Sequence, residues 1–168
     1  MTKDRNQHIT TIIQKNPGIQ FREIMRITGF KNGVLSHYLG KLEKTGTVHV
    51  LREPRQTRFY PIEIPDVEFQ IIKNLRRQTP RKILHCLMLD EKGLEFSQIV
   101  KKIHKAPSTV SLYLSQLVDD GIVDIFIQDR KKKYQIRDRL TIDKLIEYYH
   151  PGMLDKPVTG LEDIINAL

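Results

Sequence analysis

Residues 33–48 read GVLSHYLGKLEKTGTV, and residues 108–123 read STVSLYLSQLVDDGIV. They lie 75 residues apart and align without a gap. Ser36 falls on Ser111, Tyr38 on Tyr113, Leu39 on Leu114, Leu42 on Leu117, Gly46 on Gly121 and Val48 on Val123. In the first stretch Leu35, Leu39 and Leu42 recur at the three- and four-residue spacing of one helix face. The glycine that follows suits the left-handed residue that ends a helix, and residues 47–52 beyond it are β-prone. Each stretch therefore reads as a helix that stops at glycine and feeds a strand.

The same shift extends outward. Gly18 falls on Gly93, Phe21 on Phe96, Ile24 on Ile99 and Arg55 on Arg130, giving ten identities over the 42 positions 18–59. Two copies of one module of about 60 residues explain this pattern, whereas a solenoid would need more repeats. In copy one, Ile9, Ile12 and Ile13 form a helical stripe that Asn16-Pro17-Gly18 ends. A second helix covers about 21–27, with Phe21, Ile24, Met25 and Ile27 inward, and Thr28-Gly29-Phe30-Lys31 is a tight turn. The third helix runs from about 32 to 45, and β-prone runs at 47–52 and 58–62 are joined by a tip. Copy two repeats the order. A helix at about 80–90 has Thr79 as its cap and Pro80 in its first turn. A helix at about 96–104 follows, then Pro107 opens the third helix, and strands lie at about 122–128 and 133–137.

The order helix, helix, turn, helix, hairpin is that of a winged helix-turn-helix module. The two quoted stretches resemble the third helix of winged helix-turn-helix regulators of the MarR/ArsR-like type. That run is roughly Ser-x-Val-Ser-x-His-Leu-x-x-Leu-Glu-x-x-Gly-Leu-Val, and Tyr38 and Tyr113 stand at its histidine position. The resemblance covers residues 5–62 and 80–138. Tandem winged helices in one small chain also resemble some archaeal-type regulators. The implied fold is mainly α with small β-hairpin wings (α+β). It has a first module at 1–63, a helical linker at 64–78, a second module at 79–138 and a C-terminal helical tail at 139–168. The implied function is transcription regulation on double-stranded DNA, in the cytoplasm and associated with the nucleoid.

Charge points the same way. The 168 residues carry a net charge of +8 with a pI near 9.6, which favours a polyanionic partner. Residues 1–63 hold +6, residues 79–138 hold +3 and residues 139–168 hold −2. A polyanion should therefore meet the first two-thirds of the chain.

An α-helix fits the DNA major groove, and side chains near its N-terminus reach base edges. Opposite the leucine stripe of copy one lie Lys31, Asn32, Gly33, Ser36, His37, Lys41 and Lys44. Asn32, Ser36 and His37 are the candidate base readers, and Lys31, Lys41 and Lys44 suit phosphates; the bland alternative is a solvated helix face. The wing VLREPRQTRFYP, residues 50–61, adds Arg52, Arg55 and Arg58 as DNA-contacting cations. In copy two, Ser108, Thr109 and Ser111 take the helix positions, Leu112 replaces His37, and Asp119 and Asp120 replace Lys44 and Thr45. Its wing offers Arg130, Lys131, Lys132 and Lys133. Copy two is expected to hold the backbone while copy one reads bases, or else to serve as a packing module. Tyr38 and Tyr113, each one residue before a core leucine, are expected at the core edge.

Asp66–Arg77 carries Val67, Ile71, Ile72 and Leu75 at helical spacing and reads as a helix joining the copies. Thr141–Tyr149 carries Ile142, Leu145, Ile146 and Tyr149 on one stripe, Pro151-Gly152 breaks it, and Leu161, Ile164, Ile165 and Leu168 form another. The resemblance implies a homodimer through the C-terminal helices, and an apolar stripe on an acidic tail fits that; packing onto copy two, or the two modules acting as a pseudo-dimer within one chain, are the alternatives. No phosphate-binding glycine loop, HExxH or Gly-x-Ser-x-Gly motif occurs, so neither an enzyme nor a cofactor is expected. Cys86 is the only cysteine. On a helix its neighbour His85 points about 100° away, a poor chelate, so no metal site is expected. No apolar run reaches the roughly 18 residues of a membrane span, and no pattern names a small-molecule effector. A protein-interaction scaffold and a general RNA or chromatin binder are the alternatives to a sequence-specific regulator.

Overall fold

The computed structural model describes residues 2–148. The chain forms two compact units, one ending at Ile72 and one beginning at Lys73. In the first, α1 (Thr2–Lys15), β1 (Ile19–Gln20), α2 (Phe21–Thr28), α3 (Asn32–Lys44), β2 (Val48–Glu53) and β3 (Gln56–Pro61) follow in order. A 3-10 turn at Asp66–Glu68 leads into α4 (Phe69–Leu75), inside which the division between units falls. The second unit repeats the series with α5 (Gln78–Met88), β4 (Leu94–Glu95), α6 (Phe96–Ile103), α7 (Pro107–Asp119), β5 (Val123–Gln128) and β6 (Lys131–Ile136). It then adds α8 (Arg139–Tyr148).

Each unit holds a three-stranded antiparallel sheet, in the order β1-β3-β2 and β4-β6-β5. The expected hairpin is thus widened by a strand that the sequence did not reveal. Ile19 pairs with Phe59, and Leu94 pairs with Tyr134. A two-residue strand is too short to show an alternating pattern. Its register is set instead by the buried residue that closes the sheet over the helices, and Ile19 and Leu94 are nearly inaccessible.

The leucine stripe packs as its spacing requires. Leu35, Leu39 and Leu42 join Ile9, Ile13 and Ile24 from α1 and α2, and Val48 and Phe59 from the sheet. In the second unit Val110, Leu114 and Leu117 are buried, as are Ile83, Leu84, Leu87 and Ile99. Burial of each such side chain contributes about 1.5–3 kcal/mol. Tyr38 is buried at the core edge. The helix entries are stapled locally: the backbone N–H of Gln20 donates to Glu23 Oε2 at 2.7 Å, and that of Glu95 donates to Gln98 Oε1 at 2.8 Å. Gly46 and Gly121, at φ 65° and 72°, follow α3 and α7 in the left-handed conformation.

Four local expectations are corrected. Ile27 is exposed, because α2 turns Phe21, Ile24, Met25 and Thr28 inward and position 27 falls off that stripe. Val67 is 81% exposed, because it lies in the 3-10 turn and the stripe resumes as Phe69, Ile72 and Leu75. Thr79 is not a cap: α5 starts at Gln78 with Arg77 before it. Pro80 fits inside that first turn, where N–H groups have no helical partner. The second wing strand begins at Lys131, so Lys131, Lys132 and Lys133 belong to the strand, and Asp129 and Arg130 alone make the turn.

Candidate nucleic-acid interface

Between α2 and α3 the chain turns at Gly29, whose φ of 68° is left-handed. The N–H of Phe30 donates to Thr28 Oγ1 at 3.2 Å and fixes the corner. Leu35, Tyr38, Leu39 and Leu42 are buried, which turns the opposite side of α3 to solvent. Lys31, Asn32, Gly33, Ser36, His37, Lys41 and Lys44 are all exposed, and no carboxylate lies among them. Gly33 and Gly40 would meet nothing within 4 Å if a Cβ were added, so that surface is open. Ser36 Oγ donates to Asn32 Oδ1 at 3.1 Å.

The three arginines of the first wing divide into three roles. Arg55 sits in the Pro54-Arg55 turn, exposed, at the tip. Arg52 is exposed but engaged: its Nη1 and Nη2 donate to the two Glu43 carboxylate oxygens at 2.6 and 2.7 Å. This fork clamps β2 to the last turn of α3, and hydrogen bonding from Arg52 holds the Glu43 carboxyl below its ordinary value. Arg58 corrects the reading of a uniformly cationic tip. Only 3% of it is accessible, with Nη1 donating to the Gly18 carbonyl at 2.7 Å and Nη2 to Gln56 Oε1 at 3.1 Å. It ties β3 to the turn before β1 and does not face a ligand. The network extends through Gln20, whose side chain donates to Gln56 Oε1 at 2.9 Å. The sequence carried no sign of the Gly18 contact, because that partner lies 40 residues back.

The second unit presents a different face. Ser108 and Ser111 are exposed and Thr109 is half-buried. Leu112, Ile125 and Ile127 are exposed where the first unit has His37, Val50 and Arg52. Ser111, Ser115, Ile125 and Lys132 line one groove of about 260 Å³ between α7 and the sheet. Arg130 is exposed in a turn where Asp129 and Arg130 both take positive φ, 52° and 61°. Lys131 donates to Glu95 at 2.9 Å, and Lys133, half-buried, donates to Gln128 at 2.9 Å. Lys132 stands over the Tyr134 ring. Of the wing cations, Arg130 and Lys132 are therefore the freest to meet an anion. Tyr113 is half-buried under the Arg77 guanidinium, 4.7 Å from its ring centroid.

Ile142 and Leu145 of α8 are buried within the second unit, so this part of the tail stripe is spent on packing rather than left for a second subunit. Tyr149 and the Leu161–Leu168 stripe lie outside the described residues. Cys86 is buried, and desolvation raises its thiol pKa, which disfavours the reactive thiolate. Among the described residues no group of three or more His, Cys, Asp or Glu gathers, and no helix is long and apolar enough to cross a membrane.

A three-helix unit with an exposed third helix and an adjoining β-wing, present twice, defines a protein of the tandem winged helix-turn-helix class. Comparison with known families agrees at both copies. Residues 4–49 match the family described as winged helix-turn-helix DNA-binding, and residues 77–124 match the bacterial regulatory protein, arsR family. No curated protein matches the chain. The chain is a tandem winged helix-turn-helix protein of the DNA-binding regulator kind.

Proposed function

We propose that the protein is a sequence-reading transcription regulator whose first module places α3 in the major groove. The observation that supports this is the solvent face of α3, where seven polar, cationic or small residues are exposed without a carboxylate among them. Asn32, Ser36 and His37 would meet base edges. Lys31, Lys41, Lys44 and the wing-tip Arg55 would lie on phosphates. In the second module Arg130 and Lys132 would hold the backbone. Such a protein acts on chromosomal DNA in the cytoplasm.

The test is a salt-titrated mobility-shift assay on DNA upstream of the protein's own genomic neighbourhood. Affinity should fall steeply with salt, and Lys44→Ala or Arg55→Ala should each lower the slope by about 0.9 and weaken all sequences alike. Asn32→Ala and His37→Ala should change preference among sequences. Binding that none of these variants alters would sink the proposal.

One observation favours a second reading for the second module. Leu112, Ile125 and Ile127 are exposed apolar side chains, and Ile125 lines one groove with Asp119, which suits a protein contact better than phosphate. A stoichiometric protein partner recovered together with no DNA affinity above background would promote the scaffold reading over the regulator.

A further inference from the structure

The second unit contains a cavity of about 860 Å³ away from its wing, between α5, α6 and α8. This is in the range of small-molecule sites. Its floor is apolar, with Leu75, Cys86, Ile103 and Ile146 contributing. Leu89 lines it and is 76% exposed, an apolar side chain left facing an open space. Around this floor stand Arg81 and Lys82 from α5, Lys102 from α6, and Lys105. No carboxylate lines the cavity. Among the described residues none of these four cations makes an ion pair or side-chain hydrogen bond. The contrast within the same unit is direct, since Lys131 of β6 and Arg137 just after it are each matched to an acid. Four unmatched cations around an apolar floor disfavour a neutral or cationic occupant and complement an anion with an apolar body.

We propose that this cavity binds a small apolar carboxylate, its chain or ring on Ile103, Ile146 and Leu89 and its carboxylate among Arg81, Lys82, Lys102 and Lys105. Such a ligand would sit against α6, the helix immediately before the third helix of the second module. It would thereby give the protein a small-molecule effector site separate from either wing. The proposal does not depend on DNA binding.

The test is isothermal titration of the full chain with decanoate below its micelle threshold, set against decanol, in the absence of DNA. Saturable one-to-one binding of decanoate, with decanol at least about tenfold weaker, is the expected result. Arg81→Gln, which lies on α5 and away from the wing, should weaken decanoate by up to about fivefold, and Arg81→Gln with Lys102→Gln should weaken it further. Decanol should be unaffected by either variant. Three results overturn the proposal: no saturable decanoate binding, as when another segment or partner already fills the cavity; equal binding of decanol; or decanoate binding that the variants leave unchanged. Because no DNA is present, failure here is distinguishable from failure of the regulator reading.

Discussion

Arg55 and Arg58 are three residues apart in one wing, and the structure gives them opposite jobs. Arg58→Met is the informative perturbation, since it keeps most of the aliphatic stem and removes the guanidinium. Two charged hydrogen bonds are lost, to the Gly18 carbonyl and to Gln56. Gly18 is itself buried, so water cannot freely replace the donor. A hydrogen bond to a charged group contributes about 1.5–3 kcal/mol. The two share one side chain and one network, so their losses will not simply add. We expect a cost of about 2–4 kcal/mol. For a unit of this size, about 4–8 °C is lost per kcal/mol, so its melting transition should fall by at least about 8 °C. Circular dichroism on the full chain measures the shift, and hydrogen exchange at the Ile19 and Phe59 amides assigns it to the first unit. Arg58→Lys should rescue little, because a single ammonium cannot reproduce the fork. Arg55→Ala should leave the melting transition in place and weaken DNA binding. An Arg58→Met protein with an unchanged transition, and a DNA defect like that of Arg55→Ala, would refute the reasoning.

Glu43→Gln should release the Arg52 guanidinium, raising DNA affinity a few-fold and steepening the salt slope by up to about one, measured by fluorescence anisotropy. The same pair has a pH signature. Arg52 lowers the Glu43 pKa, so the pair's contribution is full above the ordinary carboxylate range and is lost only as pH falls through the lowered value. Glu43→Gln should remove that acid limb from a pH series of thermal unfolding. Arg130→Gly should relieve a non-glycine residue at φ 61° and stabilise the second wing by up to about 1 kcal/mol, while lowering DNA affinity. Denaturant melts and mobility shifts on one preparation separate the two effects. Gly93→Ala should destabilise the second unit by at least about 2 kcal/mol: φ is +74°, and the new Cβ would lie 2.7 Å from the Phe126 ring and 3.0 Å from the Tyr134 carbonyl. Chemical denaturation would show it as a lower midpoint.

The amino-acid sequence by itself determined the architecture. A 75-residue repeat, leucines at helical spacing and a glycine after each stripe specified two modules with a third helix and a wing. These are local signals: helix periodicity and a left-handed stop depend on neighbours within a few residues. The same signals placed Lys31, Asn32, Ser36 and His37 on the outer face of α3, since three buried leucines leave them only solvent. The tertiary structure alone decided which charges are free. Arg52, Arg55 and Arg58 look alike in VLREPRQTRFYP. Yet one is forked onto Glu43, nine residues back, one stands at the tip, and one is buried against Gly18, 40 residues back. In the second copy the lysines of the tip moved into β6 once the register was fixed. Charge is a property of a residue, but its availability depends on what the fold brings within about 3 Å of it, and a partner such as Gly18 lies beyond the reach of any local pattern.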